Sequence, residues 1–276
     1  MCIVSIESAG STPSAKPDGG ATPPVFLIDD KGALTGLTSG YFDLSGPESK
    51  HAQVQRIQVG ESIDVVDGQG LRLKCKVENT SDFRFHLKVI DSVQEPAPAV
   101  KITLVQALAK SDRDELAITT AVEVGVDAVQ PWQADRSIVI WRADKAEKAK
   151  AKWQDAVRSA AKQARRAWVP PVYPVVNSKL LAKQIASIVQ DGGVAWVLDA
   201  AGTITVGDAM LPPSNSADDK ELLIIVGPEG GISGSELQLF QDAGAQLVRL
   251  GPHIMRTSTA GPIAVSRAVE RFGRWG

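Results

Sequence analysis

The amino-acid sequence predicts an α/β protein, in which a small all-β domain precedes a larger domain of strands alternating with helices. Three observations carry this prediction. From Val25 to about residue 93 the chain reads as short runs of alternating polar and apolar residues, separated by turn residues. Glu95-Pro-Ala-Pro-Ala99 then breaks the pattern as a semi-rigid linker. Beyond it, short apolar runs alternate with longer stretches of helical period, the mark of an α/β domain. The expected organisation is a tail over 1–24, a small β-barrel or sandwich over 25–94, a linker over 95–99 and an α/β domain over 100–276.

Taken in order, residues 8 to 24 are rich in Ser, Pro, Gly and Ala and hold almost no bulky apolar side chain. Such a segment buries too little surface to offset the entropy of ordering, and is expected to be disordered. Order is expected from Val25-Phe-Leu-Ile28. Residues 60–66 and 71–77 alternate around Asp67-Gly-Gln-Gly70, which predicts a β-hairpin, and Phe83 to Val89 alternates again. In the second domain the expected strands are 102–107, 128–132, 138–141, 194–198, 222–226 and 247–250. The expected helices cover roughly 112–124, 145–168, 179–190, 234–243 and 259–272. In the second of these, Trp153, Ala156, Val157, Ala160, Ala164 and Trp168 recur at helical spacing as one apolar stripe. Lys145, Lys148, Lys150, Lys152, Arg158, Lys162, Arg165 and Arg166 outnumber Asp144, Glu147 and Asp155 there, an asymmetry suited to phosphate contact or simply to a solvated face.

Bulk properties exclude several classes of function. A net charge of -2 argues against indiscriminate nucleic-acid binding, though not against a local basic face. No apolar run approaches the length of a membrane span, and the first residues lack the pattern of a signal peptide, so a cytoplasmic protein is expected. Cys2 and Cys75 lie far apart, as do His51, His86 and His253, so neither a disulfide framework nor a metal site is expected.

Chemistry concentrates in two glycine loops. Leu222 to Val226 reads as a strand buried on both faces and ends in Gly227-Pro-Glu-Gly-Gly231. Ser233 with Glu236 forms the capping box of a following helix. The next strand ends in Leu250-Gly-Pro252, followed by His253-Ile-Met-Arg-Thr-Ser-Thr-Ala260. Ligands of α/β sheets sit outside the carboxyl ends of strands, where such loops gather. The first loop is no P-loop, since no Gly-Lys-Ser/Thr follows at the required spacing. It is no nucleophile elbow either, because Gly231-Ile-Ser-Gly-Ser235 lacks the second glycine.

These stretches together resemble the carboxyl-terminal signature of SPOUT-class methyltransferases, most closely the RsmE-type enzymes that methylate N3 of a uridine in 16S ribosomal RNA. That family's Gly-Pro-Glu-Gly-Gly loop, Leu-Gly turn and Ile-Leu-Arg-Thr-Glu-Thr-Ala segment are matched by Gly227–Gly231, Leu250-Gly251 and Ile254–Ala260, with Met255 for leucine and Ser258 for glutamate. Ala107-Leu-Ala-Lys110, Glu123-Val-Gly-Val-Asp127, Asp135-Arg-Ser137 and Ala160-Ala-Lys-Gln163 with Arg166 and Pro170 extend the likeness. His51, Arg56, Val59-Gly60 and Asp67-Gly68 resemble its amino-terminal PUA-like barrel. The resemblance implies a trefoil-knotted SPOUT-type methyltransferase domain behind a small PUA-like β-barrel. It also implies a homodimer, S-adenosyl-L-methionine as methyl donor without a metal, and 16S rRNA of the small ribosomal subunit as substrate.

By that resemblance Leu198, Val226, Gly227, Gly231, Leu250, Gly251, Ile254, Met255 and Thr259 would hold the methyl donor. His51, Arg56, Lys110, Arg136, Arg165 and Arg166 would contact RNA. Methyl transfer to a ring nitrogen needs alignment of the reacting atoms and removal of the N3 proton, so positioning can supply much of the rate. Arg256 is the first candidate for a catalytic residue, since a guanidinium could stabilise a developing uracil oxyanion. Its other role is an ion pair, for instance with Glu229. Glu229 is a candidate base or orienting group, or simply a brace for its loop. Two further readings stay open: a SPOUT methyltransferase acting on another RNA position, and a non-catalytic RNA-binding protein of the same fold, kept alive by Ser258.

Overall fold

The computed structural model describes residues 22–29, 32–81, 83–214 and 220–275. Most of the segment expected to be disordered, residues 8–21, lies outside that range. The chain divides into two compact units: Met1–Ala97 with Arg165–Trp168, and Pro98–Ala164 with Val169–Gly276.

The first unit holds β1 (Val25–Leu27), β2 (Gly40–Leu44), helix α1 (Pro47–Val54), β3 (Ser62–Val66), β4 (Leu71–Ser81) and β5 (Arg84–Gln94). The strands pair in the order β1-β3-β4-β5-β2, with β1 parallel to β3 and the rest antiparallel. Alternation sends Leu73, Cys75 and Val77 of β4 and Phe85, Leu87 and Val89 of β5 into a core with Phe26, Leu44 and Ile63. The β3–β4 turn forms because Asp67 Oδ1 accepts from the N–H groups of Gln69 (2.7 Å) and Leu71 (3.1 Å). Gly68 and Gly70 supply the positive φ that this turn requires, 75° and 96°. Burial pushes the Cys75 thiol up to about 12, so it is a packing group with no thiolate at neutral pH.

The second unit holds β6 (Val100–Ala107), α2 (Arg113–Glu123), β7 (Ala128–Gln133), α3 (Ala143–Gln163), β8 (Val176–Asn177), α4 (Ser178–Gln190), β9 (Val194–Leu198), β10 (Ile204–Thr205), β11 (Lys220–Val226), α5 (Gly234–Asp242), β12 (Gln246–Arg249) and α6 (Thr257–Arg271). All seven strands of its sheet are parallel, in the order β10-β12-β9-β11-β6-β7-β8. Leu222, Ile224 and Val226 of β11 pack with Ile118 of α2, Val157 of α3 and Val265 of α6 in one core. Leu223 and Ile225 pack with Leu181 of α4 and Phe240 of α5 in the other. A strand buried on both faces must be apolar at every position, which is why its run is unbroken. Among the described residues no helix is long and apolar enough to cross a membrane.

Two expectations fail. Residues 138–141 form no strand: Gln133 donates from Nε2 to the Val139 carbonyl (2.9 Å) and accepts at Oε1 from the Trp141 N–H (3.2 Å), taking the backbone groups a ladder would use. Ile138 and Ile140 are left exposed, while Val139 and Trp141 pack against the core without forming a strand. The long helix stops at Gln163 instead of 168, and Arg165 adopts a left-handed φ of 57°. Residues 165–168 join the first unit. There the Arg165 carbonyl accepts from Arg72 Nη2 (2.8 Å), the Ala167 carbonyl from the Gly70 N–H (3.2 Å), and Trp168 Nε1 donates to the Glu95 carbonyl (3.1 Å). Periodicity continues the helix because Ala164 and Trp168 sit at helical spacing, while the turn between them leaves no mark in that spacing.

Candidate functional site

The carboxyl ends of β9, β11 and β12 and the start of α6 enclose a cleft of about 640 Å³. Leu198, Val226 and Leu250 give it an apolar floor, and Gly227 to Ile232 and Gly251 to Thr257 form its walls. It lies outside the carboxyl ends of parallel strands, where chain connections leave space for a ligand.

One buried contact joins the two loops. Thr257, the first residue of α6, is 7% exposed and donates from Oγ1 to the Gly227 carbonyl (2.7 Å). It accepts in turn from Nε2 of the fully buried Gln106 at 2.9 Å. Gln106 Oε1 has no partner among the described residues. The start of α6 is thereby tied to the end of β11 and, through Gln106, to β6. Helix α6 comes close to the sheet at Gly261, where a Cβ would lie 3.0 Å from Leu104 Cδ1. Gly202 serves the neighbouring strand in the same way: a Cβ there would meet the Val248 carbonyl carbon at 2.9 Å.

The Gly-Pro-Glu loop is braced from two sides. Glu229 Oε1 accepts from the Lys110 N–H (3.2 Å) and pairs with Arg113 Nη1 (3.3 Å). Both partners belong to a turn in which Ser111 and Asp112 each take a φ of 56°. Two adjacent non-glycine residues in this region cost on the order of 1 kcal/mol each, and such strain concentrates at functional sites. On the other side Arg136 Nη1 donates to the Gly230 carbonyl (3.1 Å). The buried Glu236 carboxylate organises this flank: it closes the capping box with Ser233 and accepts from the Asp135 N–H (2.8 Å) and from Ser178 Oγ (2.6 Å).

Glu229 and Arg256 therefore form no ion pair with each other. Arg256 caps α6 with its backbone, lines the cleft, and its guanidinium has no partner among the described residues. Of the residues assigned to the methyl donor, Leu198, Val226, Gly227, Gly231, Leu250, Gly251, Ile254 and Met255 all line this cleft. Thr259 does not; it lies exposed on α6. Among the residues assigned to RNA, Lys110 and Arg136 flank the Glu229–Gly230 turn. His51 packs edge-on to Phe26 and bonds Gln55 (2.8 Å), which uses part of its side chain structurally. Arg56 is exposed at a left-handed turn after α1, and Arg165 is exposed in the first unit. The sequence reading missed Gln106, Arg113, Asp199, Arg249 and His253. The last four line the cleft, yet lone polar residues scattered over 140 positions carry no local pattern.

The donors and acceptors suit an adenosyl ligand. From Leu250 to Met255 no backbone N–H or C=O is paired among the described residues. An unpaired loop of backbone beside apolar side chains can bond the edge of a purine and a ribose while packing the ring. Among the described residues no group of three or more His, Cys, Asp or Glu is placed to hold a metal ion.

The family described as RNA methyltransferase domain matches residues 95–269. The chain is 38% identical over 233 residues to the Ribosomal RNA small subunit methyltransferase E of Mycobacterium tuberculosis (strain CDC 1551 / Oshkosh), covering 84% of this chain and 87% of that protein. It is 29% identical to the protein of that name from Bacillus subtilis (strain 168), over 82% and 88% of the two chains. Among solved structures it resembles a Ribosomal RNA small subunit methyltransferase E from Neisseria gonorrhoeae bound to S-adenosyl methionine, with a TM-score of 0.76, 28% identity, and 91% and 98% of the chains covered.

Proposed function

The chain belongs to the ribosomal RNA small subunit methyltransferase E family, and from that premise we propose that it transfers a methyl group from S-adenosylmethionine to N3 of one uridine of 16S ribosomal RNA. The observation that carries this reading is the cleft itself. The Thr257–Gly227 contact holds both glycine loops at the carboxyl ends of β9, β11 and β12, and every residue assigned to the donor but Thr259 lines it. When bound, the donor supplies an electrophilic methyl on sulfonium.

The protein's own part is alignment and charge. Leu198, Val226, Leu250 and Met255 offer the donor apolar contact, and the backbone from Leu250 to Met255, unpaired among the described residues, orients it. Arg256, without an ion partner among the described residues, is assigned to stabilise negative charge as N3 of uracil loses its proton. Glu229 already accepts from Lys110 and Arg113, so it serves as the brace that holds the loop and Arg113 at the cleft. Lys110, Arg136, Arg165, Arg166, His51 and Arg56 are assigned to RNA contact.

The same reading includes a PUA-like amino-terminal domain, a trefoil knot in the second unit, a homodimer and work in the cytoplasm on the small ribosomal subunit. The test is transfer of labelled methyl from S-adenosylmethionine to small ribosomal subunits lacking the modification, with the product base mapped. Label at N3 of a single uridine is expected. Label at another base would redirect the substrate assignment, and no binding of the donor would overturn the mechanism.

A further inference from the structure

We propose that the outward face of β4, β5 and β2 in the first unit is a binding surface for a single-stranded segment of the RNA substrate, built on the Lys76–Lys88 pair and the Tyr41–His86 stack. The inference rests on the RNA-methyltransferase reading above and adds Tyr41, Lys76, His86 and Lys88, none of which is among the residues assigned to RNA.

The register lays the surface out. Ser62 of β3 faces Lys76 of β4, Lys76 faces Lys88 of β5, and Lys88 faces Tyr41 of β2, so the four form one row across the sheet. All four are exposed. Side chains directly opposite in an antiparallel pair have Cβ atoms about 5 Å apart, and like charges so placed repel. Neither Lys76 nor Lys88 has an ion pair or hydrogen bond among the described residues, whereas Lys74 nearby is matched by Asp91 at 2.9 Å. A free chain gains nothing from two opposed ammonium groups; an anion lying between them removes the repulsion.

Beside this row Tyr41 stacks on His86, with ring centroids 4.8 Å apart and planes 14° from parallel. His86 Nδ1 lies 2.7 Å from Asp43, which fixes the imidazole under the phenol. Tyr41 is still 51% exposed, so its ring is backed on one side and open to solvent. Arg84, His86 and Lys88 alternate along the same face of β5, all exposed. Asp43 and Asp91 are engaged by His86 and Lys74, which leaves Lys76, Lys88 and Arg84 against Glu78. A backed, open aromatic ring beside unmatched cations recognises a base by its π-face and the adjoining backbone by its phosphates. A duplex hides its bases in the stack and offers that ring nothing, so the partner is a single strand. In a chain of net charge -2 such a local row is what binding a polyanion requires.

The test uses the full chain and a labelled single-stranded RNA of about ten nucleotides, within the usual site size of such surfaces. Tyr41→Ala is expected to weaken binding about tenfold, as loss of one stacked base does, and Tyr41→Phe to retain it. The Lys76→Ala/Lys88→Ala double variant is expected to lower the steepness of log affinity against log salt by about 1.4, two phosphates at about 0.7 each. With small subunits as substrate, Tyr41→Ala and the Lys76→Ala/Lys88→Ala double variant are expected to raise KM and leave kcat and S-adenosylmethionine affinity unchanged. Unaltered RNA affinity and salt dependence in all variants would overturn the proposal. So would variants that bind naked RNA normally and lose affinity only for protein-bearing subunits, since the face would then dock a protein. Failure of the methyl-transfer reading shows separately, as a wild-type chain that binds no S-adenosylmethionine.

Discussion

Replacing Thr257 with valine removes the hydroxyl that joins the two loops of the cleft while keeping the branched shape of the side chain. Two hydrogen bonds go with it, 2.7 Å to the Gly227 carbonyl and 2.9 Å from Gln106 Nε2. Gln106 is fully buried and its Oε1 is already unpartnered, so the amide retains one contact, from Nε2 to the Ala107 carbonyl at 3.2 Å. Leaving a buried polar group unsatisfied costs about 1–3 kcal/mol. Gly227 is only partly buried and water can replace part of its loss, while the added methyl recovers a fraction by burial. A net destabilisation of about 2 kcal/mol follows, which for a chain of this size lowers Tm by roughly 4–8 °C. The assay is thermal unfolding of Thr257→Val beside Thr257→Ser, with S-adenosylmethionine affinity measured by calorimetry on both. Serine keeps the hydroxyl and is expected to stay within about 1 kcal/mol of wild type, with affinity retained. A valine variant that melts with wild type and binds the donor equally well would refute the argument that this contact holds the cleft together.

Arg256→Ala is expected to lower kcat about 100-fold, the scale for loss of one donor to a developing charge, with donor affinity nearly unchanged; single-turnover methylation checks it. Gly202→Ala should cost about 2–3 kcal/mol, because its Cβ would meet backbone atoms of Val248, Arg249 and Leu247 within 3.0 Å and push β12 from the sheet. Denaturant unfolding reads that loss, and weaker donor binding should accompany it. In a Cys2→Ser background, Cys75 should resist alkylation at pH 8 until the chain unfolds, since its thiol is buried and its titration is pushed up to about 12. Rapid labelling of the native protein would contradict the packing of the first core.

Legibility in the sequence followed the range of the interaction. β11 was readable because a strand buried on both faces needs Leu222 to Val226 apolar without a gap, and α5 because Ser233 and Glu236 cap it within three residues. Amphipathic α3 was readable in its stripe but not in its end, where Arg165 turns into a left-handed conformation that no local residue type announces. The strand expected at 138–141 shows the converse error. Its apolar residues satisfied a pattern, yet the side chain of Gln133 captured the backbone and left Ile138 and Ile140 in solvent.

The same division runs through the cleft. Glycine loops at strand ends are local chemistry, so Gly227–Gly231 and Leu250–Arg256 could be singled out from the chain alone. What those loops meet is set by contacts between residues 30 to 151 positions apart. An ion pair with Glu229 was one of two roles open to Arg256, but the fold gives Glu229 to Lys110 and Arg113 and leaves Arg256 lining the cleft. Gln106 looked like one more polar residue in a strand until α6 set Thr257 against it. Periodicity, capping and turn chemistry act over a few residues and are written in the sequence. The partner of a carboxylate or an amide depends on which strand ends the parallel sheet brings side by side, and only the tertiary structure decides that.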